Sequence, residues 1–297
     1  MKYNQRLTIN ELLKLLDNYN HKEFHIHHTW KPNYSNMKNS TPEKVNDGMR
    51  SYHKSLGWGE IGQHISTFPD GTILIGRNFS KKPVSIANRN TGNFAMEQVG
   101  DFDLGKDIIT VKQRQITLEL IRYFMKRGTK IVFHREYSSK TCPGTSLHKS
   151  GLVEASDYYL NNPGELRKWI TGEDVAELQR KLGMTGRDVD GSFGNDTEKA
   201  LKEYQTKNKL PVTGIYDNAT RNYMEKGEKP METTYRRLFI HGIEAKSVTV
   251  KDGKSYLWME SIGKLVPLVE FFEILGLKVE ERPYGNGKAL YVENKEV

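Results

Sequence analysis

Glu23-Phe24-His25-Ile26-His27-His28-Thr29 is the stretch on which the fold turns. Phe24, Ile26 and His28 fall on one face and His25, His27 and Thr29 on the other, the period-two alternation of a β-strand. The apolar face belongs to a core, which makes His28 a structural histidine and leaves His27 exposed on the opposite face. Upstream, Thr8-Ile9-Asn10-Glu11 is a capping box that opens a short helix striped with Leu12, Leu13, Leu15 and Leu16. Downstream, Ser40-Thr41-Pro42-Glu43 starts a second helix with Pro in its first turn. Strand-like runs at Gly62–Phe68 and Thr72–Gly76 flank the turn Pro69-Asp70-Gly71, a predicted hairpin. Phe94–Val99 and Lys130–His134 read as further strands. Between them Thr110 caps a helix that carries Ile116, Leu120 and Phe124 on one face and ends at Gly128. Strands alternating with helices predict an α/β domain over residues 1–160, a mixed central sheet flanked by helices.

The pattern changes beyond Pro143-Gly144. Asn161-Asn162-Pro163-Gly164 is a breaker cluster, and residues 172–226 read as an all-α domain of three helices. Val189-Asp190-Gly191-Ser192-Phe193-Gly194 recurs 23 positions later as Val212-Thr213-Gly214-Ile215-Tyr216-Asp217, so one packing unit is used twice. After the linker Glu225–Pro230, residues 231–297 read as a small α+β domain. Its expected strands are Leu238–His241, Ser247–Lys251, Ser255–Met259 and Leu290–Val292, with one helix over Leu265–Leu275.

Composition narrows the function classes. With 36% hydrophobic and 28% charged residues the chain is neither fibrous nor wholly disordered. No stretch approaches the roughly 20 apolar residues of a membrane helix, so no membrane insertion is expected. The net charge of +8 is uneven: +9 over residues 1–171, −2 over 172–228 and +1 over 229–297. The basic first segment implies a polyanionic partner, and no zinc-finger spacing, arginine-rich tract or RNA-binding signature points to nucleic acid. The single cysteine excludes an internal disulfide and suits a reducing compartment. The amino-terminal residues lack an apolar signal segment, so synthesis in a host cytoplasm is expected.

Three residues sit where a metal could use them. His27 lies in the first strand, His134 ends the apolar strand Lys130–Phe133, and Cys142 is the sole thiol. His134 and Cys142 can reach one ion only if the polar, Ser-rich loop between them folds back. Two histidines and one cysteine leave a tetrahedral position open, the catalytic pattern for zinc. Taken singly, a buried cysteine is equally a small hydrophobe and a strand-end histidine equally a hydrogen-bonded surface group.

Read together, Ile26-His27-His28-Thr29, Gly57-Trp58-Gly59-Glu60-Ile61-Gly62-Gln63-His64, Asp70-Gly71-Thr72 with Gly76-Arg77, and His134 followed by Lys140-Thr141-Cys142-Pro143-Gly144 resemble the type-2 zinc N-acetylmuramoyl-L-alanine amidases. That family is shared with peptidoglycan recognition proteins and phage endolysins, and the likeness covers residues 20–150. It implies Zn²⁺ held by His27, His134 and Cys142, with Lys140 assisting. It also implies a catalytic glutamate on a central strand, which by motif is Glu97. Several relatives carry a tyrosine where this chain has Gln63; a neutral amide is no general base, so that role falls to Glu97. Trp58, Gln63 and Arg77 are candidates for the substrate groove. Residues 173–225 resemble the peptidoglycan-binding domain 1 family, through Val175–Leu182, Val189–Gly194 and Ala200–Gln205. Residues 231–297 resemble the small module related to the amine-oxidase amino-terminal domain, with wall attachment as its expected role.

These resemblances imply a modular endolysin that cuts the bond between the lactyl group of muramic acid and L-alanine. Its partners would be bacterial peptidoglycan and anionic wall polymers. A non-catalytic peptidoglycan receptor is the alternative; loss of the cysteine usually marks such receptors, and Cys142 is present.

Overall fold

The computed structural model describes residues 1–162 and 164–227, with only the backbone of 157–161. Beyond them it describes only the backbone of the strands named below. The chain divides into two compact units, Met1–Asn218 and Ala219–Val297.

The first unit opens with strand β1 (Arg6–Leu7) and helix α1 (Ile9–Leu16). Thr8 and Glu11 close the expected capping box, each side chain satisfying the other's backbone N–H, and Leu12 and Leu16 are buried. β2 (Glu23–His28), the short α2 (Tyr34–Met37) and α3 (Pro42–Ser55) follow, α3 capped by Thr41 with Pro42 in its first turn. β3 (Ile65–Thr67) and β4 (Ile73–Ile75) form the antiparallel hairpin. β5 (Phe94–Gln98), α4 (Val111–Lys126, capped by Thr110) and β6 (Lys130–Phe133) complete a six-stranded sheet. Its order is β1-β4-β3-β5-β2-β6, with β2 parallel to both β5 and β6. This is a mixed α/β sheet with flanking helices.

Both faces of the sheet are covered, and all six residues of β2 are buried. On one face Phe24 stacks on Phe124 of α4 at 4.7 Å, and Phe94 lies 5.4 Å from the same ring. Buried Gln113 of α4 donates to Thr67 O and Val99 O, using its amide to satisfy loop carbonyls instead of completing a capping box. On the other face Asn46 of α3 accepts from Ser66 Oγ, while Val45 and Met49 pack on Phe68, Leu74 and Val99. His27 therefore lies under cover, 5% exposed, where an exposed ligand was expected. The polar face of this inner strand is buried because the segments carrying Ser85, His134 and Cys142 close on it.

α5 (Lys149–Asn161) is a helix that the sequence reading left unassigned. α6 (Glu173–Lys181) and α7 (Asn195–Lys207) are the first two helices of the predicted three, and the third is α8 (Asn218–Lys226). The internal echo has a physical basis. Buried Gln179 donates Nε2–H to Asp190 Oδ1 and Ser192 O and accepts from Gly191 N. Buried Gln205 does the same with Thr213 Oγ1, Ile215 O and Gly214 N. In each repeat a helix glutamine grips a turn whose glycine sits at φ 70°, where a side chain would be strained.

The boundary expected between residues 160 and 172 is bridged rather than open. Arg114 of α4, 3% exposed at its side chain, makes a fork to Asp174 with both bonds at 2.7 Å and a third bond to Thr171 O. Glu173 N donates to Ile109 O, Thr171 Oγ1 donates to Ser146 O, and a Cβ on Gly191 would lie 2.6 Å from Ile108. The α/β domain and the helices α6 and α7 thus lie in one compact unit.

In the second unit β7 (Arg236–Ile240), β8 (Ile243–Lys251), β9 (Lys254–Met259), β10 (Lys264–Pro267), β11 (Leu277–Tyr284) and β12 (Gly287–Asn294) form a sheet ordered β10-β9-β8-β7-β12-β11. β7 and β12 are parallel and the other neighbours antiparallel. Residues 265–267 of the expected helix lie in β10, and its remainder, 268–275, lies outside the described residues, as does His241. β11 was not anticipated. No described helix is long and apolar enough to cross a membrane.

Removing Asp174 takes from the buried Arg114 guanidinium the carboxylate that it forks. Asp174→Ala is expected to lower unfolding free energy by about 3 kcal/mol in denaturant titration; a loss below about 1 kcal/mol would show that Arg114 does not depend on it.

Candidate metal centre

The parallel register of β2 and β5 places His27 opposite Glu97, so both side chains leave the same face of the sheet. β6 then delivers His134 at its end, as the first residue of a 3₁₀ turn (His134–Glu136). The loop that follows does fold back. Arg135 N donates to Cys142 O at 2.8 Å, and its guanidinium reaches Gly144 O at 2.6 Å and Leu147 O at 2.5 Å. Gly144 lies against the Phe102 backbone at φ 115°, and a Cβ there would strike that carbonyl. Cys142 is thereby seated under His28, whose backbone N–H points at Sγ from 3.4 Å.

One nitrogen from each of His27 and His134 and the Sγ of Cys142 all lie within 4.8 Å of one another. His27 Nδ1 is 3.5 Å from Cys142 Sγ, and the two imidazole centroids are 4.7 Å apart. Tetrahedral zinc, with bonds of about 2.0 Å to nitrogen and 2.3 Å to sulfur, has an N···S edge of roughly 3.5 Å. The mixed N/S donor set and this spacing fit zinc.

Electrostatics prepare the cluster for a cation. Burial lowers the pKa of His27 well below its ordinary value, with His134 adding to the effect, and burial followed by Lys140 lowers His134. Both rings are neutral at pH 7 and carry a free lone pair. Burial, followed by the Glu97 charge, raises the Cys142 thiol. Burial also pushes Glu97 up to about 8, against the pull of the Lys140 ammonium. Lys140 is exposed on the loop above, and its charge is felt by all four groups.

His28 is structural, its Nδ1 accepting from Phe102 N at 3.0 Å. The three residues expected in a substrate groove have other occupations. Gln63 is 2% exposed and donates to Ser66 Oγ, so it is sealed beneath the surface and unable to grip a polymer. Arg77 spends its guanidinium on the carbonyls of Trp58, Glu60, Ile61 and Lys82, clamping a loop. Trp58 stacks on His53 at 4.5 Å.

The sequence reading missed a polar chain behind His27. His27 Nε2 lies 2.6 Å from Ser85 Oγ, which lies 3.0 Å from His25 Nδ1, and His25 Nε2 is 2.9 Å from Glu23 Oε2. His25 and Glu23 share the alternating face of His27 and were legible by period two; Ser85, 58 residues away, gave no local signal.

Comparison with known proteins agrees in part. Residues 171–224 match the family described as "Putative peptidoglycan binding domain". The N-acetylmuramoyl-L-alanine amidase CwlL of Bacillus licheniformis is 28% identical over 163 residues, 45% of this chain and 44% of that protein. Peptidoglycan-recognition protein SC1a of Drosophila melanogaster is 26% identical over 107 residues, 35% of this chain and 58% of that protein. Among solved structures, N-acetylmuramoyl-L-alanine amidase LysC from Clostridium intestinale covers 54% of this chain and 93% of its own at 25% identity, with a TM-score of 0.39. The chain spans between about a quarter and three fifths of the length of the curated relatives it matches.

The Glu97 shift has a stability consequence in metal-free protein. An unfolded chain releases this proton near pH 4.3, whereas the folded chain holds it to about 8. Its contribution is therefore complete below about pH 4.3 and is lost as pH rises through about 8. Glu97→Gln should gain thermal stability relative to wild type as pH climbs from 5 to 8. Parallel melting curves across that range would contradict the burial of this carboxyl.

Proposed function

We propose that the chain is a zinc-dependent N-acetylmuramoyl-L-alanine amidase that hydrolyses the lactyl amide bond between muramic acid and L-alanine in peptidoglycan. The observation that carries this reading is one cluster of His27, His134 and Cys142 with Glu97 beside His27 on the sheet. The match of residues 171–224 to a peptidoglycan binding domain and the partial likeness to CwlL support peptidoglycan as the partner.

Zinc bound by the three ligands would supply a Lewis acid that polarises the amide carbonyl and makes water acidic enough to attack at neutral pH. Glu97 takes the proton from the attacking water and returns it to the leaving amine of L-alanine. A carboxyl with a pKa near neutrality can serve both steps. The Lys140 ammonium faces the same groups and offsets negative charge developing on the carbonyl oxygen. The lone thiol, serving as ligand, suits synthesis in a reducing host cytoplasm, and we place the activity in a phage or prophage endolysin that meets the wall after release. Anionic wall polymers are the counterpart of the basic first 171 residues.

Mass spectrometry of digested peptidoglycan should reveal new L-alanine amino ends and intact lactyl groups. A receptor without activity would bind wall and release nothing. Cys142→Ser and His134→Ala should lose metal and turnover together. Glu97→Gln should keep its metal and lose turnover by about 10²–10⁴-fold. Full rate in Glu97→Gln would remove Glu97 from the mechanism.

A further inference from the structure

Beside the ligand cluster runs a chain of polar groups, buried at Glu23, His25 and His27 and half-buried at Ser85, whose proton positions are dictated from one end. Glu23, 7% exposed, is gripped by the Arg89 guanidinium through both oxygens and receives Asn93 Nδ2 at 3.1 Å. Burial alone would raise its pKa, yet Arg89 and His25 hold it below the usual carboxylate range. A carboxylate only accepts, so the 2.9 Å contact with His25 Nε2 requires the proton on that nitrogen. The opposite tautomer would set a lone pair against Glu23 Oε2.

In the neutral ring that this bond leaves, His25 Nδ1 is an acceptor, and its partner among the described residues, Ser85 Oγ at 3.0 Å, donates to it. Ser85 has one hydroxyl proton. Having given it to His25, it can only accept from His27 Nε2 at 2.6 Å. His27 Nε2 is thereby protonated, and Nδ1 keeps the lone pair that faces Cys142 Sγ at 3.5 Å. The serine itself is held by Asn90, whose Oδ1 accepts from both Ser85 N and Ile86 N.

We infer that Ser85 is a positioning residue of the metal centre: backed by Glu23 and His25, it holds the His27 proton on Nε2 and presents Nδ1 as the ligand atom. The inference rests on His27 being a metal ligand. Outer partners of this kind fix ring orientation and tautomer, and their loss typically lowers metal affinity by about 10–100-fold.

The test uses the full chain with Zn²⁺ alone. Long-range ¹H–¹⁵N correlation on the metal-free wild type should show His27 as the Nε2–H tautomer. In chelator competition Ser85→Ala should bind zinc about 10–100-fold more weakly, and Ser85→Thr, which keeps the hydroxyl, within about threefold of wild type. His25→Phe keeps a ring but removes the acceptor, which frees the Ser85 hydroxyl to donate into His27 Nε2. This variant should move His27 to the Nδ1–H form and lose at least as much affinity as Ser85→Ala. An Nδ1–H His27 in the metal-free wild type overturns the proposal whether or not the variants fold. Wild-type affinity in both Ser85→Ala and His25→Phe overturns it as well. A wild-type chain that takes up no zinc would instead defeat the metal-centre reading, a separate result from the tautomer of His27.

Discussion

The parallel register of β2 against β5 is the constraint on which the centre depends. Because side chains alternate with a period of two, a slip of one residue would turn His27 and Glu97 to opposite faces and carry Phe24 and Ile26 out of the aromatic core with Phe94 and Phe124. The core and the centre are therefore specified by the same pairing. Hydrophobic burial on one face, worth roughly 1.5–3 kcal/mol for each fully buried large side chain, holds in place a polar set on the other face that is costly to desolvate by itself.

That desolvation shapes the chemistry. With no counter-charge among them, His27 and His134 are driven toward neutral rings, Glu97 toward the acid and Cys142 toward the thiol. Each shift opposes the charged form, and each is the response of a group short of water. A divalent cation reverses the balance for the two acids, since its charge favours thiolate and carboxylate, while the neutral imidazoles already have the form that binds. Lys140 lies exposed on the loop between His134 and Cys142.

Much of this was legible in the sequence because it is local. The caps at Thr8, Thr41 and Thr110 and the Pro69-Asp70-Gly71 hairpin follow from short-range hydrogen bonding and stereochemistry. His27, His134 and Cys142, the expected ligands, lie together as a group that could hold a metal ion. What escaped is what tertiary packing decides. Burial of His27 depends on the segments of Ser85, His134 and Cys142 that close over it, which strand alternation does not report. The bonds from Gln63 to Ser66 and from Arg77 to nearby carbonyls, and the stacking of Trp58 on His53, are likewise tertiary contacts that the motif does not report. Ser85 acquires its place only when residues 58 apart meet.

The repeated glutamine device shows how the neighbouring module is brought into the same body. Gln179 fixes the turn at Asp190-Gly191-Ser192, and that turn in turn places Gly191 against Ile108 and lets Gly191 O accept from Gly172 N. Gly172 leads directly into Glu173 and Asp174, the residues that engage Ile109 and Arg114 of the α/β domain. A flexible tether would raise effective concentration at the enzyme over a broad set of orientations. Here the turn, the buried Arg114 fork and the backbone bonds hold α6 at one orientation on α4.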